Sequence, residues 1–193
     1  MKDLLEKIHK CTLCSPYLSN GVRPVLTASL DSKIVIIGQA PGSIVHNTGI
    51  PWDDKSGERL RNWLDIDKKT FYDSEIFAII PMGFCYPGKG KTGDLPPRKE
   101  CAPTWHSLLF EQLKNVELIL LIGHYAQNYY LTNAKKTLTE TVKNYQEYTP
   151  KYIVLPHPSP RNNIWLKKND WFEKDNLFYL RNRIQQIIKT TQK

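Results

Sequence analysis

The sequence predicts an α/β fold: a parallel β-sheet covered by helices on both faces, built as a single domain over residues 1–193. Three observations predict it. Short, continuously apolar runs recur along the chain, each followed by helical spacing, and runs of that kind suit strands buried on both faces of a parallel sheet. A length of 193 residues fits one domain, which at this size buries roughly 70% of the surface of its unfolded chain and needs no disulfides to hold a core. The least ordinary loop sequences all follow strands, and sheets of this class place ligands beyond the carboxyl ends of their strands.

Each element has its own signal. Met1 to Lys10 has helical spacing, with Leu4, Leu5 and Ile8 on one face. Lys33 to Gly38 (KIVIIG) is a β-branched run closed by glycine and reads as the first strand. Gly57 to Leu64 is helical, with Ser56 as its expected N-cap. Glu75 to Pro81 reads as the second strand, followed by a long loop rich in proline and glycine that runs to Pro97. A helix is expected over Arg98 to Lys114, a third strand over Glu117 to Gly123 (ELILLIG), and a helix over His124 to Leu131. A short helix is expected over Leu138 to Tyr145, and the fourth strand over Lys151 to Pro156. Trp171 to Lys189 closes the chain as a helix with Leu177, Leu180, Ile184 and Ile187 on its inner face. Three loops then converge on one sheet edge: GQAPG after the first strand, PMGFCYPG after the second and HPSPRN after the fourth.

Composition narrows the class. No apolar run approaches the roughly 20 residues of a membrane span, and MKDLLEKIHK lacks the apolar centre of a signal peptide. A cytoplasmic protein with no membrane partner is expected. Lysine and arginine number 27 against 19 aspartates and glutamates, a formal charge of +8, which favours a polyanionic partner, nucleic acid first. The loop PGKGKTGDLPPRK carries Lys89, Lys91, Arg98 and Lys99 among glycines and prolines and suits contact with phosphates. It is not a Walker P-loop, because no strand-to-helix turn of the required spacing encloses it.

Cys11, Cys14, Cys85 and Cys101 are the four cysteines of the chain. An early C-x2-C followed by a distant pair points to a metal before a disulfide in a cytosolic protein. Four thiolates suit tetrahedral zinc or a [4Fe–4S] cluster, and the spacing leaves both open.

These residues together resemble the uracil-DNA glycosylase superfamily. GQAPG followed by TGIPW and by SG opening a helix resembles the family's first motif, and HPSPRN is similar to its second, nearest to the single-strand-selective branch. The cysteine arrangement resembles that of the iron–sulfur (fourth) family. The resemblance spans Cys11 to about Arg161. It implies a three-layer α/β/α fold with a central four-stranded parallel sheet, a flipped base in a pocket, hydrolysis of an N-glycosidic bond in DNA during base-excision repair, and a structural [4Fe–4S] cluster on the four cysteines. A monomer is expected.

Residue by residue, the resemblance makes His157 the donor to the departing base. It makes Ser159, Pro160, Arg161 and Asn162 the segment pressing on DNA. Gly38, Gln39, Ala40, Pro41 and Gly42 become the loop beneath the base, and Trp52 takes the place of the phenylalanine that stacks on it. The founding family has aspartate where Ala40 stands, and the iron–sulfur family has glutamate where Gln39 stands, so Gln39 can orient a water but cannot act as a base. Asp54, in D-K-S-G, resembles the fifth family's water-activating aspartate, with Asp53 beside it as the alternative. Iron–sulfur relatives carry a base-reading asparagine four residues before the third cysteine; here that position is Pro81, which leaves base recognition to Pro81, Met82 and backbone groups. Two readings follow: a monofunctional DNA glycosylase, or a catalytically weak lesion-binding relative with a structural metal centre. His46 reads as a surface histidine.

Overall fold

The computed structural model describes residues 1–191. Four strands, β1 (Ile34–Ile37), β2 (Phe77–Ile79), β3 (Leu118–Ile122) and β4 (Tyr152–Leu155), form one sheet in the order β2-β1-β3-β4, every pair parallel. The helices are α1 (Lys2–His9), α2 (Ser43–Thr48), α3 (Lys55–Leu64), α4 (Lys68–Phe71), α5 (Cys101–Gln112), α6 (His124–Tyr130), α7 (Leu138–Lys143), α8 (Asn163–Lys168) and α9 (Leu177–Thr191).

Two cores lie on the two faces of the sheet, and alternate strand residues feed them, as the period of a strand requires. Ile34, Ile36, Phe77, Ile79, Leu118, Leu120 and Ile153 pack with α3 and α9 on one face. Val35, Ile37, Ala78, Ile80, Ile119, Leu121 and Val154 pack with α1, α5 and α6 on the other. The strands read as unbroken apolar runs because both faces are covered. The result is the expected three-layer α/β/α arrangement. Among the described residues, no helix is long and apolar enough to cross a membrane.

Several boundaries differ from expectation. Asp54, not Ser56, caps α3: its carboxylate accepts from the Gly57 amide at 2.8 Å, and the helix starts at Lys55. The helix expected from Arg98 starts at Cys101. The one expected to reach Tyr145 ends at Lys143, and a 3₁₀ turn covers Tyr145–Tyr148. The C-terminal helix begins with a π-turn over Phe172–Asn176, and its expected inner face of Leu177, Leu180, Ile184 and Ile187 is buried. The helices α2, α4 and α8 have six, four and six residues, too short for a periodic signal to separate from loop.

β1 lies inside the sheet, with the chain continuing to β2 on one side and later to β3 on the other. Order reverses about β1, and a crevice opens at such a reversal, at the carboxyl ends of the strands.

Candidate active site

That crevice is a cleft of about 470 Å³, entered by all three of the unusual loops. Gly38 to Gly42 leave β1 along one wall. The amides of Met82 and Gly83 donate to the Gly38 and Gln39 carbonyls at 2.9 and 3.0 Å, so the loops after β1 and β2 are stitched together. Gly38 is required by the indole of Trp52: a Cβ on Gly38 would stand 2.8 Å from Trp52 Cζ2. Trp52 itself has a left-handed backbone, φ 56°, a strained state for a tryptophan that surrounding contacts must hold. Gly57 makes room for it, since a Cβ there would stand 1.7 Å from the Trp52 carbonyl oxygen. The buried Arg61 donates to that same carbonyl at 3.2 Å, and its guanidinium lies 5.3 Å from the Phe71 ring centre.

Asp54 and Asp53 part company. Asp54 lines the cleft, with one carboxylate oxygen engaged by the helix cap. Asp53 pairs with Lys68 at 3.3 Å and does not line the cleft.

His157 follows β4, its ring centre 5.5 Å from that of Trp52. The Ser159 amide donates to Nδ1 at 3.2 Å, so Nδ1 is the acceptor and the neutral ring carries its proton on Nε2. Burial holds the imidazole below the usual histidine range, against the opposing pull of Asp54 and Asp94. The loop is braced by Asn162, which donates to the His157 carbonyl at 2.7 Å, and by Arg59 of α3, which donates to the Ser159 carbonyl at 3.1 Å.

Ser159, Arg161 and Asn162 reach the cleft; Pro160 is exposed outside it. The Arg161 guanidinium, expected on DNA, donates to the Thr92 carbonyl at 2.8 Å. It thereby holds a hairpin at residues 88–95, closed by the Leu95 amide on the Gly88 carbonyl at 2.8 Å and by antiparallel backbone pairing of Lys89 with Asp94. Gln39 grips the same hairpin, donating to the Leu95 carbonyl at 3.3 Å. Lys89 and Lys91 are exposed on the hairpin, away from the cleft lining.

Of the second-strand loop, Pro81 lines the cleft, whereas Met82, expected beside it, is buried in the core among α1 and α5 residues and does not line it. The Pro81 carbonyl accepts from Nε2 of the buried His106 at 3.1 Å, and the Tyr130 hydroxyl donates to Nδ1 of that histidine. His46 is not merely a surface histidine: its Nε2 meets the Asn20 carbonyl at 3.0 Å and its ring packs 5.8 Å from Tyr86.

Sequence reasoning did not single out Asp94, Arg59 or Arg61. Asp94 lies in a loop expected to contact phosphates, and its neighbours pointed outward. The arginines carry only helical spacing; a buried arginine has no mark in the sequence.

The four cysteines come together from three places. Cys11 and Cys14 follow α1, Cys85 lies in the loop after β2 and Cys101 opens α5, and all four line one small apolar cavity with Leu18, Phe84 and Trp105. Burial pushes the Cys85 thiol up to about 11 and the Cys101 thiol up to about 12. The Phe84 amide donates to the Cys101 sulfur at 3.4 Å. Among the described residues, no three His, Cys, Asp or Glu side chains form a group that could hold a single metal ion. A tetrahedral zinc, with bonds of about 2.3 Å to its thiolates, and a [4Fe–4S] cluster would each require the four sulfurs to draw in to a common shell. Four thiols converging on one cavity are the donor set that either centre uses, and Arg98 lines that cavity beside them.

The parallel sheet carries a cleft at its switch point, walled by glycine backbone and an indole and flanked by a carboxylate and a neutral histidine, a shape and chemistry suited to a flat polar ring. The chain belongs to the uracil DNA glycosylase superfamily, whose family model matches residues 25–181. It is also similar to the type-4 uracil-DNA glycosylase of Thermotoga maritima, with 27% identity over 162 residues that cover 82% of this chain and 81% of that protein.

Proposed function

We propose that the protein is a monofunctional DNA glycosylase of base-excision repair that hydrolyses the N-glycosidic bond of a deaminated, uracil-type base. The observation that carries this reading is the meeting of Trp52, Asp54 and His157 in one cleft of a chain of this superfamily.

A base turned out of DNA stacks on the Trp52 indole, over backbone kept close by Gly38. As the C1′–N bond stretches, negative charge grows on the base and positive charge on the sugar. The Nε2–H of neutral His157 donates to the base, a preset dipole aimed at developing charge. The oxygen of Asp54 not used by the α3 cap holds a water and stabilises the cationic sugar. Water then supplies the oxygen at C1′, and the base leaves with the proton that water gives up. Gln39 orients that water through its amide oxygen, its amide nitrogen being bound to Leu95. Gly42, Ala40, Pro41 and Pro81 shape the wall against the base. Ser159, Pro160, Arg161 and Asn162 press on the backbone, with Lys89 and Lys91 beside them as sequence-neutral phosphate contacts.

The cysteine cavity holds a [4Fe–4S] cluster with a structural role, Cys11, Cys14, Cys85 and Cys101 as its thiolates. When bound, such a cluster ties the N-terminal segment to the loop after β2, and it takes no part in hydrolysis. The protein works as a cytoplasmic monomer.

The test uses labelled oligonucleotides holding uracil, hypoxanthine or xanthine, paired and single-stranded, treated with protein and then alkali. A cut at one lesion, dependent on alkali, is expected. DNA binding with no cut on any substrate would favour the lesion-binding relative, in line with the acid-free Gln39–Ala40 loop.

A further inference from the structure

We propose that Asp94 reads the base: its carboxylate accepts the ring N–H of a lactam base, the group that deamination of cytosine or adenine creates. The inference rests on the glycosylase reading and gives it the recognition element that Pro81 cannot supply.

Asp94 lines the same cleft as Trp52, Asp54 and His157. It arrives there from the 88–95 hairpin, and the cleft's own side chains place it. Arg161 holds the carbonyl two residues before it, at Thr92, and Gln39 holds the carbonyl one residue after it, at Leu95. The approach is close on the Arg161 side: a Cβ on Gly93 would stand 2.3 Å from the Arg161 Nη1. The carboxylate is oriented as well. The buried Tyr86 hydroxyl donates to Oδ1 at 3.4 Å, and Oδ2 lies against the first loop, 3.4 Å from where a Cβ on Gly42 would stand. Oδ2 has no partner of its own beside the loop that walls the cleft. Its field reaches His157, where it opposes the effect of burial together with Asp54.

An ionised carboxylate only accepts. Cytosine N3 and adenine N1 carry bare lone pairs, which Oδ2 repels. In uracil and hypoxanthine the same ring atoms carry a proton, which Oδ2 accepts. Guanine and xanthine both carry N1–H, so this contact does not separate that pair. A hydrogen bond to a charged partner in a partly dry site contributes roughly tenfold or more to discrimination.

The experiment pairs removal of the acceptor with removal of the donor. Excision kcat/KM is measured for whichever lesion the wild type releases and for its ring-N-methyl analogue, 3-methyluracil or 1-methylhypoxanthine, with wild-type protein, Asp94→Ala and Tyr86→Phe. Asp94→Ala should lose about tenfold or more on the plain lesion, and its preference for plain over methylated base should fall toward one. Tyr86→Phe keeps the carboxylate but frees it, and should show the same coupling at smaller size. Melting temperatures of both variants should stay close to wild type, because Asp94 is exposed on a surface hairpin. Equal losses on both bases in both variants, or no loss on the plain lesion, overturn the assignment while leaving the glycosylase reading intact. Wild-type protein that releases no base overturns the glycosylase reading and this inference with it.

Discussion

His157 shows how much chemistry one backbone amide can settle. Because the Ser159 amide donates to Nδ1, the ring must stay neutral to keep that bond, and its one proton sits on Nε2. Burial acts in the same direction, holding the imidazole below its usual range. An unperturbed histidine titrates near 6.5, so the neutral form of His157 persists below that pH in the folded protein. Excision should therefore hold steady as pH falls past 6.5 and decline only at lower pH, with the break missing in His157→Asn. A break at or above 6.5 that vanishes in the variant contradicts the neutral donor. Replacing His157 by alanine should cost roughly 100- to 1000-fold in kcat, the usual effect of losing one donor to developing charge. The histidine was legible from HPSPRN, whereas its tautomer was not, because that depends on where one amide points. Likewise the pair Asp53 and Asp54 looked equivalent in sequence; the cap of α3 turns one toward the cleft and Lys68 holds the other outside it.

The strands and their alternation with helices were the most legible elements, since short β-branched runs bounded by glycine or proline mark strands buried on both faces. The short helices were not, and nor was the 88–95 hairpin, whose closure depends on Arg161 and Gln39 reaching it from distant loops. The turn before α3 was half legible. Its tryptophan and aspartate stood out, but the strained Trp52 backbone and the contacts holding it appear only in three dimensions. Gly57 is the element's weak point, with a Cβ there meeting the Trp52 carbonyl at 1.7 Å. Gly57→Ala should therefore lower the melting temperature and excision together. Gly21→Ala is the control: nothing lies within 4 Å of the added Cβ, so its cost comes from its own left-handed φ of 82° and not from displacing a neighbour. Two variants with equal melting temperatures and equal activities would show that the turn tolerates displacement of Trp52.

At the scale of the molecule, the cysteine cavity and the cleft are joined by the loop after β2. Cys85 is followed at once by Tyr86, which reaches Asp94, and the His46 that packs on Tyr86 also contacts Asn20, in the segment following Cys14. A centre on the four thiols would clamp the N-terminal segment, that loop and the start of α5. Cys85→Ser should lower the melting temperature and remove the visible absorbance of the purified protein, with little effect on excision by the fraction still folded. A variant as stable as wild type, from a wild type that is itself colourless, contradicts a cluster. That the four cysteines belong together was legible from their number and spacing; that they surround one small cavity with Phe84, Trp105 and Arg98 was not, because spacing carries no distances. The +8 charge spoke for nucleic acid without saying where it would bind. All of these features serve one claim, that this cleft breaks a glycosidic bond with Asp54 holding the water. The most direct test is single-turnover release of the preferred base by wild type and Asp54→Asn, with DNA affinity measured beside it. Asp54→Asn should lower the rate roughly 100-fold or more with affinity little changed; equal rates for the two proteins would rule out Asp54 as the group that holds the water.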